Sequence, residues 1–114
     1  MTKEQIQALP NDLIITGDYE NKLIGLKHEG EFSGRILLPE RSQKIRLHSP
    51  DGFSWGFGGS GPGQLALAIL LEYFPHEIAC ANYMQFKWDH VSQWPQSDFE
   101  IKVDLRAFAV KYKL

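Results

Sequence analysis

From Leu65 to Leu71 every side chain is apolar, and prolines stand on both sides of the run, at Pro62 and Pro75. Seven residues are far too few to span a bilayer, so the run has to be buried inside protein. Pro62 suits a first helical turn, where its missing N–H is not needed, and the spacing predicts a helix from Pro62 to Phe74. Leu65, Leu67, Ile69, Leu70, Leu71 and Phe74 surround its axis and leave no polar face. Such a helix belongs at the centre of a fold. Gln64 is expected to fold back on Gly61 as the far half of a capping box.

The rest of the chain is read around that centre. With 114 residues, 43% hydrophobic and 23% charged, it has the length and composition of a single globular domain over 1–114. "TKEQIQALP" reads as a short amphipathic helix stopped by Pro10. "DLIITG", "KLIGLKH", "GRILLP" and "KIRLH" each read as a short strand, and "SPDG" (Ser49 to Gly52) as a β-turn leading into a fifth strand, Phe53 to Phe57. A second helix is expected from Glu77 to Gln93, with Ala79, Tyr83 and Phe86 inward. "DFEIKV" alternates like a strand. Residues 104–113 fit either helix or strand, and the shared face of Leu105, Phe108 and Tyr112 behind an Asp104 N-cap favours helix. The expected architecture is α+β: an antiparallel meander of about five strands, then a central helix, a second amphipathic helix and a short C-terminal element.

Five of the ten glycines lie between Phe53 and Leu70. Glycine is the costliest residue to order, so the crowding needs a reason. Gly56-Phe57-Gly58-Gly59-Ser60-Gly61 has the G-x-G-x-x-G spacing of a phosphate-cradling turn before a helix N-terminus. A dinucleotide fold is excluded, because a second helix follows in place of a parallel strand. A plain turn needs fewer glycines than are present, which favours an anion cradle. In "KIRLHS" the alternation puts Arg46 and His48 on one face, beside Ser54 and Gly56 if the two runs pair across the turn. Arginine suits forked phosphate recognition.

Other chemistries fit less well. Ser60, His48 and Asp51 supply the residue types of a hydrolytic triad, but Pro62 stands where the nucleophile elbow requires glycine. His76 and Cys80, four apart, lack the second pair a zinc site needs. No metal or cofactor is expected. A net charge of −2 gives no bulk attraction to nucleic acid or anionic membrane. The single cysteine fits a reducing compartment, and "MTKEQIQALPND" lacks the apolar core of a secretion signal, so a cytoplasmic protein is expected. On the second helix a further stripe, Cys80, Met84, Trp88 and Val91, reads either as a partner surface or as part of a wide core.

The run "LHSPDGFSWGFGGSGPGQLALAILLEY", with Ala79, Tyr83, Phe86 and Lys87 after it, resembles a family of small phage and bacterial proteins catalogued as a domain of unknown function. The matching positions are His48 to Pro50, Gly52, Phe53, Trp55, Gly56, Gly58 to Pro62 and Gln64 to Ala68, with Phe57 in place of a tyrosine and Gly63 in place of an alanine. The resemblance implies a phage or prophage origin, and hence the host bacterial cytoplasm. In general character the chain is also similar to small phage proteins that sequester nucleotide immune signals, which implies a homo-oligomer. The expected function is non-catalytic sequestration of a phosphate-containing, nucleotide-derived ligand. Its contacts are expected at Arg46, His48, Ser49, Trp55, Phe57, Gly58, Gly59, Ser60, Gly61 and Gln64, with Trp55 or Phe57 stacking on a base. The alternative is an inhibitor that grips a host defence protein through the Met84–Trp88 stripe.

Overall fold

A capping box opens the chain in the computed structural model, which describes residues 1–114. The Thr2 hydroxyl accepts from the Gln5 N–H at 3.1 Å, Gln5 Oε1 accepts from the Thr2 N–H at 2.8 Å, and α1 (Lys3–Ala8) follows. Alternating apolar residues then build β1 (Leu13–Asp18) and β2 (Leu23–His28), and a shorter run builds β3 (Arg35–Leu37). Next come α2 (Glu40–Ile45), α3 (Ser60–Tyr73) and α4 (His76–Asp89), with a single 3-10 turn at Val91–Gln93. The chain closes with β4 (Phe99–Val103) and α5 (Leu105–Lys111), whose N-cap Asp104 accepts from the Ala107 N–H at 2.9 Å.

The four strands form one antiparallel sheet in the order β3-β2-β1-β4. Ile15 on β1 stands opposite Leu26 on one side and Ile101 on the other. That register turns Leu13, Ile15, Ile24, Leu26, Leu37 and Val103 to one buried face, while Glu100 and Lys102 face solvent on the other. Residues Gly61 to Leu71 of α3 are all buried, with α4, α2 and the 3-10 turn packed against it. The inner sheet face and α3 share a single apolar core. The fold is α+β, with the all-apolar helix at its centre as its side chains require. No helix is long and apolar enough to cross a membrane.

Four expectations change. The strand count is four, because "KIRLH" and Phe53 to Phe57 form no ladder. Residues 40–45, opened by Pro39 in helical backbone and by Glu40 in the first turn, wind into α2 and absorb Lys44 and Ile45. Arg46 and His48 therefore do not pair with Ser54 and Gly56. Gln64 forms no capping box: its side chain is fully buried and turns the other way, into the α2 side of the core. The second helix ends at Asp89, where His90 leaves helical backbone, so Val91 swings inward and is buried. The β-turn over Ser49 to Gly52 forms as expected, its Gly52 N–H donating to Ser49 O at 3.3 Å.

Candidate functional site

The glycine run bends the chain between a buried tryptophan and the start of α3. Gly56 sits at φ +86°, a conformation that side chains resist, and its N–H donates to Val91 O at 3.0 Å. A β-carbon there would lie 2.8 Å from the Trp94 carbonyl oxygen. A β-carbon at Gly58 would lie 2.4 Å from the Trp88 ring, and one at Gly59 2.4 Å from the Phe57 ring. Two aromatic rings therefore rest directly on the glycine backbone. Gly59 is also the N-cap of α3 and brings no side-chain oxygen to that helix end. The N–H groups of Gly58, Gly59, Ser60 and Gly61 find no acceptor in the protein, and Gly61 is buried.

Gln64 organises the opposite wall. Its Oε1 accepts from the N–H of His48 at 2.7 Å and of Ser49 at 3.1 Å, and its Nε2 donates to Ser42 Oγ at 2.8 Å and Arg46 O at 3.1 Å. One buried amide thus fixes the segment after α2 onto α3. The His48 ring then lies against Gly63, with Nε2 2.7 Å from the Tyr83 hydroxyl. Neither Ser60 nor Asp51 hydrogen-bonds His48, so no Ser-His-Asp relay is assembled.

Between these walls opens a cleft of about 230 Å³ lined by His48, Gly58, Gly59, Ser60, Gly63, Met84 and Lys87. Lys87 is its most telling member. Only 6% of it is exposed, and its ammonium donates to Gly58 O at 3.3 Å and sits 4.4 Å from the Trp88 ring centroid. No carboxylate pairs with it. The ion pairs of the molecule are His28–Asp12, Arg35–Glu72, Arg41–Glu72, Lys102–Glu29 and Lys111–Asp89. A buried charge without a counter-charge is expensive, and the carbonyl at the long end of hydrogen-bond range compensates it poorly.

A larger hollow of about 370 Å³ is lined by Asp89, His90, Lys102, Asp104 and Lys111, among others. Its charges are already spoken for. Asp89 Oδ2 accepts from Lys111 Nζ at 2.8 Å and from the Tyr112 hydroxyl at 2.6 Å, Lys102 pairs with Glu29, and Asp104 caps α5. Burial pushes the Asp89 carboxyl up, but those two hydrogen bonds outweigh it and hold the group below its ordinary range. The buried cationic side chain without a carboxylate partner is in the smaller cleft.

The structure brings His48, Gly58, Gly59 and Ser60 to one cleft, His48 by way of Gln64 and not by strand pairing, and adds Met84 from the stripe on α4. It places others elsewhere. Trp55 is fully buried, donating from Nε1 to Ser97 O at 3.2 Å with its ring edge-on to Phe99, so it is closed to stacking. Gln64, Ser49 and Gly61 support the walls from behind, and Arg46 stands outside the lining, 3.5 Å from the Tyr83 hydroxyl. Phe57, 46% exposed, stays available at the loop. On α4, Met84 and Trp88 are 41% and 53% exposed, Cys80 is half-buried and Val91 is in the core.

Sequence reasoning missed Lys87 and Gly63. The signal for Lys87 was present: it lies four after Tyr83 and next to Phe86, so the helical spacing sets a cation beside the core-facing stripe.

No curated protein and no solved structure matches the chain. The sequence model of a family of unknown function (DUF6166) matches residues 25–110, a span that holds the glycine run, α3, α4 and nearly all of α5. The chain belongs to that family.

Proposed function

We propose that this protein is a non-catalytic binding module that holds a phosphate-bearing, nucleotide-derived ligand in the cleft at the N-terminus of α3 and acts by sequestering it. The observation that carries this reading is Lys87, 6% exposed and with no carboxylate partner, on the wall of a cleft that also holds a helix end whose N–H groups have no acceptor. An anion placed there would compensate the lysine, satisfy the free amides and meet the positive end of the helix dipole. His48 and the Ser60 hydroxyl add polar contacts, and Trp88 and Phe57 are the exposed rings beside the loop. In a phage setting, removal of such a ligand would silence a host immune signal.

Differential scanning fluorimetry with nucleoside phosphates, cyclic dinucleotides and ADP-ribose derivatives tests the reading. At least one compound is expected to raise the melting temperature, and Lys87→Met to abolish the rise. A flat response from the folded protein across the panel would refute it.

A second reading rests on the exposure of Met84 and Trp88 on α4. Adjacent exposed Met and Trp are enriched where proteins meet, and here they would grip a host defence protein. A stoichiometric protein captured from a bacterial lysate, lost in Trp88→Glu and kept in Ser60→Asp, would favour this reading over the first.

A further inference from the structure

We infer that the phosphate the cleft accepts is a terminal monoester, the end of a linear nucleotide, and that cyclic dinucleotides are excluded. The inference rests on the phosphate-binding reading of the same cleft and narrows its ligand class.

Three properties of the cleft lead there. The first is size. About 230 Å³ falls below the roughly 300–1,000 Å³ of sites that enclose a whole drug-sized ligand. The cleft does not enclose a whole nucleotide. Any base must remain outside, where Trp88 and Phe57 present exposed rings at Gly58 and Gly59. Each phosphorus of a cyclic dinucleotide bridges two riboses through two of its oxygens, so it offers no free end to insert. A monoester has three unsubstituted oxygens on one side.

The second property is charge. Lys87 contributes one positive charge and the end of α3 the equivalent of about half of one. No lining residue is acidic. A phosphate monoester carries about −1.5 to −2 near neutral pH, which this set balances. A diester carries a single negative charge and would leave the lysine and the helix end undercompensated.

The third is the arrangement of donors. Gly58, Gly59 and Ser60, which line the cleft, present three successive N–H groups without acceptors, and the Lys87 ammonium lies 3.3 Å from the Gly58 carbonyl. Gly61 is buried behind them, and Pro62 has no N–H to give. The donors are therefore gathered at one point, as a compact group with several free oxygens requires, and do not trace the length of an extended polyphosphate.

The test is isothermal titration calorimetry, with Trp88 emission as a second readout, since Trp55 and Trp94 are both buried. The probes are the four ribonucleoside 5′-monophosphates, adenosine, inorganic phosphate, ADP-ribose and cyclic di-AMP. At least one monophosphate is expected to bind and perturb Trp88 emission, with adenosine and cyclic di-AMP at least ten-fold weaker. Lys87→Met, which keeps the buried stem, is expected to weaken the monophosphate ten-fold or more. Ser60→Asp, a change at an exposed position that adds a negative charge to the cleft, is expected to do the same even if Lys87→Met lowers the folded population.

Binding of cyclic di-AMP or of ADP-ribose in preference to every monophosphate would overturn the monoester inference and leave the phosphate reading standing. Inorganic phosphate binding as tightly as any monophosphate would overturn the nucleotide part. Absence of binding by every phosphate-bearing probe would remove both readings together.

Discussion

At the residue scale the glycines divide into two kinds. Gly56 is fixed by backbone: its φ is +86° and a methyl would press on the Trp94 carbonyl. Gly56→Ala is expected to cost about 1–3 kcal/mol in urea unfolding. Gly59 has an ordinary φ of −96°, and the nearest obstacle to a methyl is the half-exposed Phe57 ring, which can swing aside. Gly59→Ala is therefore expected to change stability by no more than about 0.5 kcal/mol while weakening phosphate binding. A Gly59→Ala protein that binds normally would show that the loop backbone does not meet the ligand. Gln64 is the third instructive residue. Gln64→Leu deprives two backbone N–H groups, one carbonyl and the Ser42 hydroxyl of a partner, and a loss of about 3 kcal/mol or more is expected, with each orphaned group costing roughly 1–3. His48 should lose its place at the cleft along with it.

At the scale of elements, α3 makes the strongest claim. Leu67 is fully buried near its middle, and Leu67→Ala is expected to cost about 2–5 kcal/mol by chemical denaturation. A loss of under about 0.5 kcal/mol would mean the helix is peripheral. The junction of α4 and α5 carries a pH dependence. The His90 ring lies 4.7 Å from that of Phe86 and 6.3 Å from that of Phe108. Burial pulls its pKa below 6.5, against the upward pull of the Asp89 charge. The folded state thus binds this proton more weakly than the unfolded chain, and stability falls as pH drops through about 6.5. Replacing the ring in His90→Gln should flatten that limb between pH 7 and 5.5. The Asp89 limb has the same sign but lies lower, since that carboxylate is stabilised by Lys111 and Tyr112 until the carboxyl range is reached.

For the whole molecule, the arrangement predicts where native-state hydrogen exchange will be slowest. β1 is paired on both sides and α3 is buried on all sides, so their amides should exchange only through global unfolding. α1 has no buried residue and β3 is an edge strand of three, and both should exchange far sooner. Uniform protection across all four elements would contradict this ranking. With a Cα radius of gyration of 13.1 Å the chain has the size of a single domain of its length, so one cooperative transition is expected by calorimetry.

By itself the sequence determined what neighbours along the chain can settle. The all-apolar run had to be a central helix, the shared face behind Asp104 favoured a last helix over a strand, and Ser-Pro-Asp-Gly read as a turn, because periodicity, capping and turn chemistry act within a few residues. The tertiary structure decided what depends on partners far away. Gln64 meets Ser42 across 22 positions, Lys87 meets the Gly58 carbonyl across 29, and Trp55 meets Ser97 across 42. Alternation in "KIRLH" could not reveal that Gln64 would hold the amides of His48 and Ser49 and deny them to a strand. Nor could spacing show that Trp55 would be sealed in the core while Trp88 came to rest on Gly58. Local patterns record how a segment can fold; which polar groups are consumed in holding it there, and which are left for a ligand, is fixed only when the segments pack.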